Sequence, residues 1–233
     1  MEIRALQQRL GYEFKERDLL RRALTHRSHS AVHNERLEFL GDSVVNRTIA
    51  LALYRKFPEL PEGELSRLRA SLVSQPALAA LAESLSLGSY LALGDGELKS
   101  GGGQRPSILS DALEAVLGAV LLDGGFEAAR LVVQGIFDAA LVSINPSTTG
   151  KDAKTLLQEW LQRKRQALPH YAVVAIHGEA HEQEFEVECV IEHLNIRCTG
   201  KGVSRRRAEQ EAAQLAYQQA QRVSARWVIR SNP

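Results

Sequence analysis

The chain has 233 residues, 44% of them hydrophobic, 24% charged and 6% aromatic, with a formal net charge of +1. This balance suits soluble globular structure in one or two domains and argues against indiscriminate nucleic-acid binding. No apolar run approaches membrane-spanning length and "MEIRALQQRLGYEF" lacks the apolar core of a signal peptide, so a cytoplasmic protein without membrane association is expected.

Residues 1–150 hold 16 Lys+Arg against 18 Asp+Glu, a net of −2, and residues 151–233 hold 13 against 10, a net of +3. In the first half, apolar periodicity predicts helices over 19–24, 34–57, 64–73, 77–85, 110–122 and 126–142. Strand signals are absent, which reads as an all-α domain. His26, His29 and His33 are spaced three and four apart. Because "SHSAVHN" looks like the end of a helix, solvated imidazoles are the better reading than a metal site.

"NERLEFLGDSVV", residues 34–45, is the most informative stretch. At roughly 100° per residue, Glu35, Glu38 and Asp42 fall within about 60° of one another on one helical stripe. A charged stripe is ordinarily a wet face. Here the same stripe continues through Ile49 and Leu53, while Arg36, Ser43 and Arg47 gather elsewhere. Carboxylates on a stripe that turns apolar need raised pKa values, cationic partners or a metal ion.

"PEGELSRLR" adds Glu62 and Glu64, which read as loop and helix-start charges. In "SILSDALEAVLGAVLL", Asp111 and Glu114 stand three apart in an apolar segment. Alone, this is also a capping pattern, with Asp at the cap and Glu at the third helical position. Two apolar helices each bearing carboxylates near the start, with no His or Cys cluster, suit Mg²⁺ or Mn²⁺ and phosphodiester hydrolysis.

"INPSTTGKD", residues 144–152, has linker composition. Beyond it the order α-β-β-β-α is predicted: "AKTLLQEWLQRK" helical; "HYAVVAI", "EFEVECVIE" and "NIRCTGKG" as strands; "SRRRAEQEAAQLAYQQA" helical, with Ala208, Ala212, Leu215 and Ala216 on one face. Cys189 and Cys198 match no zinc spacing and read as buried free thiols. A Ser204-capped helix opening with Arg205, Arg206 and Arg207 makes sense chiefly if phosphate is its partner, since three cations weaken an isolated helix start. Such a unit suits reading duplex RNA by shape and backbone.

Together, "ALTHRS", "NERLEFLGDS", "EGELSRLRASLV", "LGDGELKSGG" and "SILSDALEAVLGA", in this order, resemble the segments of bacterial ribonuclease III. The C-terminal half resembles that family's double-stranded-RNA-binding domain. The likeness runs from about Leu6 to Ala220, and "RVSARWVIRSNP" has no counterpart.

The resemblance implies a helical endonuclease domain over 1–146, a linker over 147–151, a small α+β RNA-binding domain over 152–222 and a tail over 223–233. It implies a homodimer formed through the endonuclease domain, cleaving double-stranded RNA to 5′-phosphate and 3′-hydroxyl ends, with ribosomal-RNA precursors among the substrates. Glu38, Asp42, Asp111 and Glu114 match the metal carboxylates, with Asp42 and Glu114 closest to the chemistry. Glu35 and Glu62 match acids of the dimer valley that are associated with cleavage. Mg²⁺ is the implied cofactor, with Mn²⁺ a substitute. Gln158, Glu159, Gln162 and His181 match minor-groove positions, and Arg205 and Arg206, after Ser204, match the phosphate-spanning pair. Glu209 departs from the general module, where many relatives carry lysine, which implies one phosphate contact fewer. The alternative is a regulator that binds duplex RNA without cutting it.

Overall fold

The computed structural model describes residues 3–179 and 182–230, with side chains in the last helix described as far as Val223. The chain divides after Gly150 into two units. Among the described residues, no helix is long and apolar enough to cross a membrane.

The first unit is built from helices α1 (Ile3–Leu10), α2 (Arg17–Ala23), α3 (Glu35–Lys56), α4 (Glu62–Leu72), α5 (Gln75–Ser84), α6 (Asp95–Lys99) and α7 (Pro106–Ser143). Local chemistry explains several of the boundaries. Acidic Glu62 and Glu64 occupy the first turn of α4, complementing its dipole, and α5 carries a proline in its first turn, where no N–H is needed. Gly125, with φ of 79°, divides α7 into two helical halves at the point between the two predicted segments.

The core of this unit is aliphatic. Leu37, Val45, Ile49 and Leu53 of α3 meet Leu113, Val116, Leu117 and Val120 of α7, all nearly inaccessible to water. This α3–α7 seam is the most extensive helix packing in the unit. Glycine permits its closeness: a methyl group on Gly41 would overlap the carbonyl oxygen of Glu114, and one on Gly118 would overlap that of Leu37.

The second unit runs α8 (Ala153–Arg163), β1 (His170–His177), β2 (Glu184–Ile191), β3 (Ile196–Gly202) and α9 (Arg205–Arg230). The strands form one antiparallel sheet in the order β1-β2-β3, with a register irregularity between Val173 and Ala175. Val187, Cys189 and Ile191 alternate inward, as the period-two pattern requires. Cys189 and Ile191 pack with Leu157 and Leu161 of α8 and with Ala212, Ala213, Ala216 and Ala220 of α9.

Two expectations from the sequence are corrected. Residues 26–33 are irregular, not a helix end, because α2 stops at Ala23 and the chain pairs Thr25 with Ala92 in an isolated bridge. Leu215 is exposed, and among the described residues the inward face of α9 is carried by alanines with Tyr217 partly buried beside them. Residues 223–230 continue α9 to Arg230.

Candidate active site

Because the backbones of α3 and α7 touch at Gly41 and Glu114, the side chains one turn either side are forced together. Carboxylate oxygens of Glu38, Asp111 and Glu114 lie within 4.8 Å of one another, each residue half-buried. Asp111 lies within α7, whose N-cap is Arg105, so the capping reading of Asp-x-x-Glu is excluded.

None of the ion pairs among the described residues includes Glu38, Asp42, Asp111 or Glu114. The protonation of Glu38, Asp111 and Glu114 responds accordingly. Burial, then Asp42, Glu38 and Asp111, pushes Glu114 up to about 8. Burial and then Asp111, Glu35 and Asp42 raise Glu38. Burial also raises Asp111, against opposing pulls from the Ser110 hydroxyl, His26 and Arg27. Carboxyls that hold protons for want of a counter-charge, with oxygen as the sole donor type, fit a hard divalent cation.

Asp42 lies beside this trio without joining it. It is exposed, and its Oδ1 accepts a 2.7 Å hydrogen bond from Asn46 Nδ2, one turn along α3. Asn46 therefore sets where that carboxylate points, a role that no motif announced; an Asp-x-x-x-Asn pair at helical spacing was the available signal.

A cavity of about 760 Å³ adjoins the trio, lined among others by Arg27, Glu35, Glu38, Glu97, Arg105 and Asp111. Glu35 stands at its rim, 3.4 Å from Arg27. Arg105 pairs with Glu97 at 2.9 Å. These two arginines were not singled out from the sequence, because what places them beside the acids is the irregular backbone before α3 and α7. His26 also lines this cavity, with Nδ1 2.8 Å from Ser28 Oγ, while His29 is hydrogen-bonded to the Leu93 carbonyl.

Glu62 is not brought to the trio within one chain. It opens α4, accepts from the Ser66 hydroxyl at 2.6 Å and lines a separate cavity with Arg47, Tyr54 and Arg69.

In the second unit, Gln158 and Gln162 are exposed on α8, and Glu159 is paired with Lys151 at 2.6 Å. Asp152 caps α8 by accepting from the Thr155 N–H at 2.8 Å. Ser204 Oγ accepts from the Arg207 N–H at 3.3 Å, and Arg205, Arg206 and Arg207 are exposed on the first turn of α9. His181 lies outside the described residues.

A family model described as "Ribonuclease-III-like" matches residues 16–140. A protein called Ribonuclease 3 from Ralstonia nicotianae is 59% identical over 231 residues, covering 99% of this chain and 90% of that protein. The chain belongs to the ribonuclease III family.

Its relative from Bordetella petrii, also called Ribonuclease 3, is 56% identical over 230 residues, covering 99% of this chain and 91% of that one. The solved nuclease domain of ribonuclease III from Campylobacter jejuni is 44% identical, with a TM-score of 0.59, and covers 62% of this chain and 99% of that one. A second model, "Double-stranded RNA binding motif", matches residues 153–220. As a ribonuclease III with both parts on one chain, the protein is an endoribonuclease of double-stranded RNA. The nuclease match takes in α3 and α7 up to residue 140, and with them the carboxylate trio, and the RNA-binding match takes in α8 and α9 up to residue 220.

Proposed function

We propose that the endoribonuclease chemistry is carried by Mg²⁺ held among Glu38, Asp42, Asp111 and Glu114, with Mn²⁺ a competent substitute. The observation behind this reading is the trio of half-buried carboxylates within 4.8 Å of one another, without an ion-pair partner among the described residues, with Glu114 pushed up to about 8. When bound, such an ion neutralises charge on the phosphodiester and makes water a competent nucleophile at neutral pH.

The chain's own residues supply the rest. Glu38, Asp111 and Glu114 give the fixed part of the cage, and the exposed Asp42 carboxylate, held by Asn46, completes it from the solvent side. Asp42 and Glu114 are closest to the chemistry. Glu35 and Glu62 act from the valley flanking the duplex. Products carry 5′-phosphate and 3′-hydroxyl ends, and precursors of ribosomal RNA in the cytoplasm are among the substrates.

The endonuclease domain is assigned to 1–146, the linker to 147–151, the RNA-binding domain to 152–222 and a tail to 223–233. In the RNA-binding domain, Gln158, Glu159, Gln162 and His181 face minor grooves, and Ser204, Arg205 and Arg206 span phosphates. Two copies pair through the endonuclease domain. Phe39, Tyr54 and Leu122, all more than half exposed in the single chain, provide apolar surface for that pairing. A second Campylobacter jejuni nuclease-domain structure is described by a region involved in dimer formation, which supports the same arrangement; it is 46% identical with a TM-score of 0.57.

The test is cleavage of a labelled RNA duplex with Mg²⁺ by wild type and Glu114→Gln, with a gel shift on both. Wild type cuts, and Glu114→Gln binds without cutting. If both bind and neither cuts, the protein is a duplex-binding regulator.

A further inference from the structure

Glu209 reads from the sequence as a lost phosphate contact, yet its carboxylate joins the starts of two helices. Its Oε1 accepts from Arg205 Nε at 2.9 Å, and its Oε2 accepts from Lys154 Nζ at 2.7 Å. Lys154 belongs to the first turn of α8. Its ammonium lies 4.5 Å from the centre of the Tyr171 ring on β1, and its backbone N–H donates to the Gln210 side chain at 3.2 Å. The Glu209 side chain is 13% exposed, whereas that of Arg205 is 64% exposed.

An acid beside cations lowers the local positive potential, which by charge counting alone weakens attraction for a phosphate backbone. The geometry opposes that count. A guanidinium carries five N–H donors on a rigid planar fork. Glu209 engages Nε, which fixes the plane and leaves both terminal amino groups as donors on an exposed side chain. An arginine already held in place loses less rotamer freedom when it meets phosphate. The same carboxylate ties Lys154 to α9, adding a charged link at the helix starts to the apolar packing of α8, assigned like α9 to RNA, against α9.

We propose that Glu209 is a positioning residue for duplex-RNA binding, presetting Arg205 for a phosphate and locking the start of α8 to the start of α9. This rests on the assignment of Arg205 to RNA made above. The carboxyl is held below the usual range chiefly by its hydrogen bond to Lys154, so the clamp is charged at neutral pH.

The test is binding of the full chain to a labelled RNA duplex in EDTA across a salt series, comparing wild type, E209Q, E209K, R205A and E209Q/R205A. E209K, although it removes a negative and adds a positive charge, weakens binding by about tenfold without steepening the salt dependence. E209Q weakens it by roughly threefold, and by less in the R205A background, where only the tie to Lys154 is left to lose. Thermal melts report folding, and E209Q, nearly isosteric, carries the test should E209K fail to fold.

Binding by E209K as tight as wild type or tighter, with a salt slope steeper by about one phosphate contact, overturns the proposal. So does an E209Q loss that persists undiminished without Arg205. If R205A binds like wild type, the assignment of Arg205 to RNA fails first; if R205A is weak and E209Q is normal, only the positioning role fails.

Discussion

The two units each crowd like charges at one place and deal with them in opposite ways. Glu38, Asp111 and Glu114 meet where α3 and α7 touch, half-buried and outside every ion pair among the described residues. Arg205, Arg206 and Arg207 crowd the first turn of α9, all exposed, with Arg205 held by Glu209 from its own helix. Water and salt disperse repulsion at a surface, whereas a half-buried acidic cluster responds by holding protons. Burial, more than charge density, decides which cluster needs a counter-ion from outside.

The largest test of that contrast is the double substitution Glu38→Gln with Asp111→Asn. Cleavage of an RNA duplex falls on the order of a thousandfold, the size expected when several kcal/mol of metal-supplied stabilisation is lost. The melting temperature of the metal-free protein rises, because two crowded carboxylates are gone. A fall in melting temperature with cleavage intact would break the contrast outright.

Next comes Gly41→Ala. Helix propensity alone favours alanine by about 1 kcal/mol, but the added methyl group meets the Glu114 backbone, so a net loss of about 1–3 kcal/mol in urea unfolding is expected.

The smallest effect is on pH dependence without divalent ions. Below its ordinary value of 4.5, the Glu114 carboxyl is protonated folded or unfolded, and the site carries no penalty. Between there and about 8 the unfolded chain releases the proton while the folded one retains it, so stability is lost progressively as pH rises. The melting temperature of wild type relative to Glu114→Gln therefore declines across this window by a few degrees at most, since the group is partly exposed, and Mg²⁺ flattens the decline. A difference independent of pH would sever the raised carboxyls from the metal site.

Much of this contrast was legible in the sequence. Long apolar periods revealed α3, α5 and both halves of α7, and period-two alternation revealed β2, because burial on one face imposes those repeats. Carboxylate spacing placed Glu38 on the seam, but not whether Asp111 capped a helix, since the true start at Pro106 lies five residues earlier and carries no strong capping residue. The octamer α1 went unread although Ile3, Leu6 and Leu10 recur at helical spacing, and the five-residue α6 is too short to show a period. The orientation of Asp42 was beyond reach because a single rotamer, fixed by Asn46, decides it. The partner of Glu209 was beyond reach as well, since Lys154 stands 55 residues away.

The seam at Gly41 and Gly118 has a consequence for how the three carboxylates come to meet. Main chains in van der Waals contact cannot move closer, and moving apart would open a void along a close-packed core. The backbones that carry Glu38 on one helix and the Asp111–Glu114 pair on the other are thus held at a fixed spacing. A side chain at either glycine would part them, so the acidic cluster owes its existence to two residues that carry no charge and no side chain.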